Sequence, residues 1–223
     1  ILLLLTGMLA CRKDKPTPCN DPECYDFPNF SGITWFTSDR YQYKSPCFNP
    51  NNSNEFIYNL IDRELKTFKL LKYNLLTGER VELVDQVNII SQPKWSRKGW
   101  ITFDNAYGAS NYQISIIKDN GDSLSQFTSV KANLYPTWDA TGEHLYWQYS
   151  PVLGFPYFFL KQGLLDTFPD TILRYGDFSN GYVQHSDITS TNKLASEIKI
   201  NEESHLAISE NTNSISYTPV IYL

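Results

Sequence analysis

Apolar and polar residues alternate along most of the chain in short runs that are separated by polar turns. Three segments share one pattern, in which a proline, any residue and an aromatic residue precede a polar turn and an alternating run. They begin at Pro46, Pro93 and Pro136, so the prolines are 47 and then 43 residues apart. Alternation with a period of two is typical of β-strands that bury one face. The pattern therefore predicts a repeated unit of short strands.

A β-hairpin is predicted after each of these segments. The first has Gly78 at its turn, the second has Asn120-Gly121, and a weaker third copy has Gly163. Asn-Gly is among the strongest short-range signals for a hairpin turn. A fourth and fainter copy of the whole unit covers residues 187–215, with Asn213 where the glycine stands elsewhere.

Residues 57–75 also fit an amphipathic helix, because apolar residues recur there at helical spacing. The alignment of this stretch with the second and third repeats favours strands instead, with Asp62-Arg63-Glu64 as a loop. The composition agrees, since the chain holds 15 Tyr, 13 Phe and 5 Trp, and aromatic residues fit a pleated, half-buried surface. We therefore predict an all-β protein.

A period of about 40–45 residues that holds several short strands is typical of a β-propeller blade. The repeat resembles that of TolB-like (WD-like) propellers, whose core reads roughly P-x-W-S-x-D-G-x-x-I-x-F. Residues 93–103 match this core best, although Arg97-Lys98 stand where Pro-Asp is usual. The resemblance extends over residues 45–223 and weakens in the fourth repeat. It implies a partial propeller over residues 41–223, with about four blades that are each a four-stranded antiparallel sheet.

In this repeat the aromatic residue after the proline is expected to pack between neighbouring blades, and a glycine closes the turn that follows. The repeat core positions are Phe48, Trp95, Trp138, Gly99 and Gly142. One blade cannot bury such a face alone, so stability depends on contact between adjacent repeats. Propellers of this family usually have more blades, and we therefore expect the sequence to be a truncated chain.

The first ten residues form an apolar run that ends in Ala10 and is followed by Cys11. Met8-Leu9-Ala10-Cys11 resembles the lipobox at the end of a bacterial lipoprotein signal peptide, with Met8 where leucine is usual. The run is shorter than the roughly 20 residues that cross a bilayer, and a short apolar core before a small residue is typical of signal peptides. A buried strand is the alternative interpretation, but the polar residues 12–18 end the run.

This second resemblance implies that residues 1–10 are the end of a signal peptide and that Cys11 carries lipid. Residues 11–40 are then a polar, proline-containing tether that holds the propeller on a membrane of the bacterial cell envelope, on its periplasmic side or at the cell surface. Cys19 and Cys24 are separated by four residues in this tether. A disulfide between them is favoured in an oxidising compartment, with free thiols and then a metal site as alternatives.

The sequence contains no motif of a catalytic or phosphate-binding site. The G-x-S-x-G motif of serine hydrolases is absent, and so are the glycine-rich phosphate loops. The three histidines, His144, His185 and His205, are far apart and have no metal-ligand spacing. We therefore predict no catalytic residue, no metal site and no cofactor.

Charge and loop composition give the remaining indications about partners. The chain has 19 basic and 24 acidic residues, a net charge of −5, and lacks the basic stripe of a nucleic-acid surface.

Phe155 lies in Gly154-Phe155-Pro156, which we expect to be a loop that could contact a peptide or a sugar, although burial between blades is the favoured alternative. The cysteine in the first repeat, Cys47, fits a core position as a small apolar residue.

The sequence thus favours a lipid-anchored, non-catalytic propeller that binds a protein or peptide of the envelope. This function is implied by resemblance and not by a site. The alternatives are the propeller part of a carbohydrate-active enzyme, whose relatives use histidine and acidic metal ligands, or that of a serine exopeptidase whose catalytic domain the sequence lacks.

We predict that Cys11→Ser abolishes membrane association, because the variant has no thiol for the lipid. The measurement is the share of protein in the membrane fraction of bacteria that express the full-length gene. A variant that stays in that fraction would show that the lipobox interpretation is wrong.

Overall fold

A computed structural model of the chain gives its architecture. The residues that it describes are 39–85, 93–106, 112–129, 131–151, 158–174, 181–188, 193–200, 203–209 and 217–220. Within these ranges no helix is long and apolar enough to cross a bilayer.

The strands form four antiparallel sheets of four strands, and each sheet is built from strands that are consecutive in the chain. Blade 1 consists of β1 (Tyr41–Asn49), β2 (Asn52–Asp62), β3 (Thr67–Asn74) and β4 (Arg80–Asp85). Blade 2 consists of β5 (Lys94–Trp95), β6 (Trp100–Ala106), β7 (Tyr112–Lys118) and β8 (Ser125–Gln126). Blade 3 consists of β9 (Ala132–Trp138), β10 (His144–Ser150), β11 (Phe158–Gly163) and β12 (Asp170–Arg174). Blade 4 consists of β13 (Gly181–Ile188), β14 (Leu194–Ile200), β15 (Glu203–Ser209) and β16 (Tyr217–Val220).

The first strands of the four blades stand side by side. β1 contacts β5, β5 contacts β9, and β9 contacts β13. The sheets are therefore arranged around a common axis with their first strands innermost, which is the arrangement of a β-propeller. The predicted fold is confirmed. Residues 57–75 form parts of β2 and β3, so the strand interpretation of this stretch is correct and the helical one is wrong.

The register of each blade places two of its turns at the same end. In blade 3, His144 follows the turn between the first and second strands, and it pairs with Gly163, which precedes the turn between the third and fourth strands. In blade 2, Trp100 pairs with Lys118 in the same way. We call this end of the propeller the turn face.

Two apolar clusters hold blades 1, 2 and 3 together. The first joins Ile57, Leu70, Leu83 and Val84 of blade 1 to Trp95, Ile101, Phe103 and Ile117 of blade 2. The second joins Ile114 and Ile116 of blade 2 to Trp138, Leu145, Trp147 and Leu160 of blade 3. Full burial of one such side chain stabilises a protein by about 1.5–3 kcal/mol, so these interfaces hold much of the apolar core. In each, the tryptophan of the first strand packs on the preceding blade.

Phe48 departs from this arrangement. Its side chain is 57% exposed, although the sequence predicts that it packs between blades. It pairs across the strands with Phe56, and their ring centroids are 5.7 Å apart. The tryptophans at this position are buried by a preceding blade, and the described part of the chain has no blade before blade 1. The prediction that Phe48 packs between two blades is therefore wrong for the blades that the structure describes.

The innermost strands carry a β-bulge just before their prolines. Ser45 and Tyr135 precede Pro46 and Pro136 and have φ of 57° and 55°, and the strand registers shift at both places. Such a backbone costs about 1–2 kcal/mol in residues other than glycine. At Tyr135 it directs the backbone N–H to the buried carboxylate of Asp104, 3.2 Å away.

We predict that Gly142→Ala lowers the free energy of unfolding by about 2–4 kcal/mol. Gly142 has φ of +74°, and an added Cβ would lie 2.9 Å from the backbone nitrogen of Arg97 in the neighbouring blade. Gly78→Ala is the matched control, because Gly78 has φ of +70° but its nearest neighbour, the Tyr73 hydroxyl, is 3.8 Å away. Urea denaturation measures both variants. Equal losses would contradict the close contact between the turns.

Candidate binding site on the propeller axis

The turn between the first and second strands is held in the same way in three blades. The residue after the aromatic position accepts hydrogen bonds from backbone N–H groups of its own turn. Asn49 Oδ1 accepts from Asn51 at 2.9 Å, and Ser96 Oγ accepts from Trp100 at 3.0 Å. In blade 3, Asp139 Oδ1 accepts from Glu143 at 3.0 Å. Short side chains with an oxygen acceptor favour such turns, so different residue types give one geometry.

These three turns also contact each other. Asn51 Nδ2 of blade 1 donates to the backbone carbonyl of Arg97 in blade 2 at 2.9 Å. Gly142 of blade 3 lies against the backbone nitrogen of the same arginine. Lys98 and Glu143 form an ion pair at 3.3 Å, which is exposed and contributes little. The turns therefore form one continuous surface around the axis.

A cavity of about 230 Å³ opens where the four innermost strands end at the turn face. We call it the axial cavity. It is lined by Cys47 and Pro50 of blade 1, Lys94, Trp95, Ser96 and Arg97 of blade 2, Thr137, Trp138, Asp139 and Ala140 of blade 3, and Ile188 of blade 4. All four blades thus contribute to one site, whose wall contains both cationic and apolar side chains.

Asp139 is the acidic residue of this wall, and its carboxylate is fully engaged. His144 Nδ1 lies 2.9 Å from Oδ2, and the Thr141 hydroxyl donates to Oδ1 at 2.9 Å. Burial acts to raise the pKa of Asp139, but these hydrogen bonds and those from the turn N–H groups outweigh it and lower the pKa below its ordinary value. Asp139 therefore stays ionised and stabilises its turn.

A second and larger cavity, of about 360 Å³, lies on one side of blade 1 and is lined by residues from all four of its strands. Arg40 and Asp62 form an ion pair at 2.7 Å in its wall, and the hydrogen bond from Arg40 lowers the pKa of Asp62. Asp62 Oδ1 also accepts from the N–H of Glu64 and of Leu65. The carboxylate of Asp62 thus stabilises the turn between β2 and β3. The residues that line this cavity all belong to blade 1 or to the residue next to it, Arg40.

The structure places the predicted site residues in different ways. Trp95, Trp138, Gly99 and Gly142 lie at the turn face or in the inter-blade clusters. Cys11, Cys19, Cys24 and Phe155 lie outside the described residues, and their roles stay predictions. Within the described ranges, no three His, Cys, Asp or Glu residues are grouped closely enough to hold a metal ion. Sequence reasoning missed Lys94 and Arg97 as site residues, because their meeting at the axis depends on how the blades pack; Arg97 stood out only as a departure from the repeat core.

No protein-family model matches this sequence, and no curated protein sequence matches it. Solved structures do match its fold. TolB from Acinetobacter baumannii aligns with a TM-score of 0.67 at 15% identity, over 82% of this chain and 44% of that one. An oligogalacturonate lyase in complex with manganese aligns with a TM-score of 0.64 at 12% identity, over 83% and 55%. A prolyl endopeptidase aligns with a TM-score of 0.62 at 12% identity, over 82% and 30%.

These alignments show that the chain has a TolB-like β-propeller fold. The chain spans about half the length of the TolB and lyase structures and a third of the endopeptidase. The three proteins have different activities on one architecture, and a fold by itself does not determine a function. A proposal about function must therefore be based on the axial cavity and not on the fold.

We predict that Asp139→Asn makes the protein less sensitive to acid. The pKa of Asp139 is lower in the folded chain than in the unfolded one, so the stability from its carboxylate is complete above about pH 4 and is lost as the pH falls through the folded-state pKa. The measurement is urea denaturation at about pH 7 and about pH 3.5. Asp122→Asn, which changes an exposed turn carboxylate, is the control. An unchanged acid loss in Asp139→Asn would contradict the assignment.

Proposed function

We propose that this protein is a non-catalytic binding propeller of the bacterial cell envelope, and that it holds a segment of a partner protein or peptide in the axial cavity. The observation that carries the proposal is the construction of that cavity. Four blades converge on it, three turns are held rigid around it by their own side chains, and neighbouring turns contact each other. A rigid wall lowers the entropy cost of binding.

The lining indicates what kind of partner fits. Pro50, Ala140 and Ile188 supply apolar surface, and Lys94 and Arg97 supply positive charge. Binding sites commonly combine an apolar wall with a few polar groups that orient the ligand. The volume is below the roughly 300–1,000 Å³ of sites that enclose a whole small-molecule ligand. The cavity therefore suits the end of a chain or one side chain of a larger partner.

The proposed location comes from the sequence. Lipid on Cys11 would hold the chain on an envelope membrane, and the tether up to residue 40 would leave the propeller free to meet a partner. The TolB fold is consistent with this role. The lyase and peptidase neighbours support the alternative that the chain is the propeller part of an enzyme, which predicts catalytic groups or metal ligands elsewhere in the full-length protein.

We predict that a photo-crosslinking amino acid at Arg97 traps an envelope partner in cells and that the same group at Leu165 does not. Leu165 is 99% exposed and lies in the outer turn of blade 3, away from the axial cavity. The readout is the set of crosslinked products on a denaturing gel, followed by mass spectrometry of the bands.

A second substitution tests whether the axial cavity itself is used. Ala140→Trp places a large ring in the cavity wall and should abolish the crosslink from position 97, whereas Leu165→Trp should leave it unchanged. Equal crosslinking from positions 97 and 165, or a crosslink that survives Ala140→Trp, would contradict binding at the axis.

A further inference from the structure

The face of blade 1 that points away from blade 2 is built like the interfaces between blades. Successive residues of a strand point to opposite faces of its sheet, and Ile57 and Leu70 point to blade 2. The opposite face, which we call the leading face, holds its own apolar cluster of buried Phe56, Tyr58, Leu60 and Leu71 and partly buried Tyr41, Tyr43 and Tyr73. One blade cannot bury such a face fully by itself, so a further element is expected on it.

Blade 2 shows how a preceding blade covers the equivalent face. The outer strand β4 contributes Leu83 and Val84 to the cluster that joins blade 1 to blade 2. Leu83 reaches the outer turn of blade 2, because a Cβ on Gly121 would lie 3.9 Å from Leu83 Cδ2. Lys72 of β3 also donates to the backbone carbonyl of Asp119 in that turn, at 2.8 Å. The last strands of one blade therefore cover the outer part of the next blade.

Residues 33–38 occupy the same place in the sequence relative to blade 1. They lie 47 residues before β4 (Arg80–Asp85), and the prolines of the two repeats, Pro46 and Pro93, are also 47 residues apart. The segment reads Ile33-Thr-Trp-Phe-Thr-Ser38, and β-branched and aromatic residues favour strands. It lies outside the described residues, so its placement is an inference from the repeat.

The equivalence with β4 assigns a direction to two aromatic side chains. Phe36 takes the position of Leu83, which is 8% exposed and packs on the next blade. Trp35 takes the position of Glu82, whose side chain is 44% exposed. Because adjacent residues of a strand point to opposite faces, Phe36 is expected to point to blade 1 and Trp35 away from it.

We propose that residues 33–38 form a strand that covers the outer part of the leading face, with Phe36 packed near Tyr73 and the turn at Gly78. Gly78 is the blade 1 counterpart of Gly121, which Leu83 contacts in blade 2. The Tyr73 hydroxyl lies 3.8 Å from the position of a Cβ on Gly78, so an aromatic side chain at this turn would meet another aromatic side chain.

This segment fits the leading face better than a second copy of the chain does. It is followed almost directly by β1, and Arg40 lies in the wall of the blade 1 cavity, which Leu60 and Leu71 of the leading face also line. Attachment to the blade gives the segment a high effective concentration at this face. A polar tether usually has few aromatic residues, whereas residues 25–36 contain five.

The inference goes beyond the proposed function, because it concerns how the propeller is attached and not what it binds. Residues 33–38, predicted from the sequence to be part of the tether, then belong to the propeller. The tether from Cys11 ends near residue 32, at the outer edge of blade 1. The lipid would thus hold the propeller by the side of blade 1 and leave the axial cavity accessible.

Photo-crosslinking within the full-length protein tests this placement. A photo-crosslinking amino acid at Leu76, which is 76% exposed in the turn that Gly78 closes, should crosslink to the peptide that contains residues 33–38. The same amino acid at Asn120, in the matching turn of blade 2, is the reference and should crosslink to β4. Mass spectrometry of the digested protein identifies both products.

Every other result from Leu76 overturns the inference. A crosslink to a different segment of the chain would identify another occupant, such as a further blade. A band of doubled mass would identify a second copy, and a band of any other mass would identify a partner protein. No product from Leu76, when Asn120 gives its crosslink to β4, would show that residues 33–38 do not cover this turn.

Two substitutions test the direction of the side chains. Phe36→Ser should lower the urea midpoint of the full-length protein by about 1 M, as loss of a packed aromatic side chain implies. Trp35→Ser is the matched control and should change the midpoint much less. Equal shifts, or a larger shift in Trp35→Ser, overturn the assigned register. The proposed function is tested separately, since the crosslink from Arg97 does not depend on residues 33–38.

Discussion

The burial of aromatic and aliphatic side chains between neighbouring blades is the interaction on which the rest of this structure depends. A single four-stranded sheet of this length cannot bury both of its faces. Trp95 and Trp138 pack on the preceding blade and close the two inter-blade clusters. The position of each first strand follows from this packing, so the axis and everything that lines it are consequences of blade-on-blade contact. Phe48 is consistent with this dependence, because it is exposed where the described chain has no preceding blade to cover it.

The turn face combines this packing with local hydrogen bonding. Asn49, Ser96 and Asp139 each hold their own turn, and the bulges before Pro46 and Pro136 bring the strands into those turns. Neither feature alone would build a site. Together they bring the ends of the innermost strands around one small cavity, in which rigid backbone surrounds cationic and apolar groups. A site on such rigid supports binds with little loss of conformational freedom.

The proposals on function differ in what supports them. The envelope location depends on the resemblance of residues 8–11 to a lipobox, and the fold connects the chain equally to binding proteins and to enzymes. The axial cavity is independent of both, since its lining is a property of the described blades. The alternative, a propeller that serves a catalytic domain, would place the chemistry outside these blades.

The sequence by itself determined the blade repeat, because alternation, turn glycines and the proline–aromatic pairs are local signals that recur at a nearly constant spacing. It also determined the turn role of Gly142, whose N–H donates within its own turn. Only the tertiary structure decided that Phe48 is exposed, that Ser45 and Tyr135 adopt a strained backbone, and that Lys94, Arg97 and Asp139 meet at the axis. Those features depend on how one blade is rotated against the next, and that rotation is set by packing between residues more than 40 positions apart.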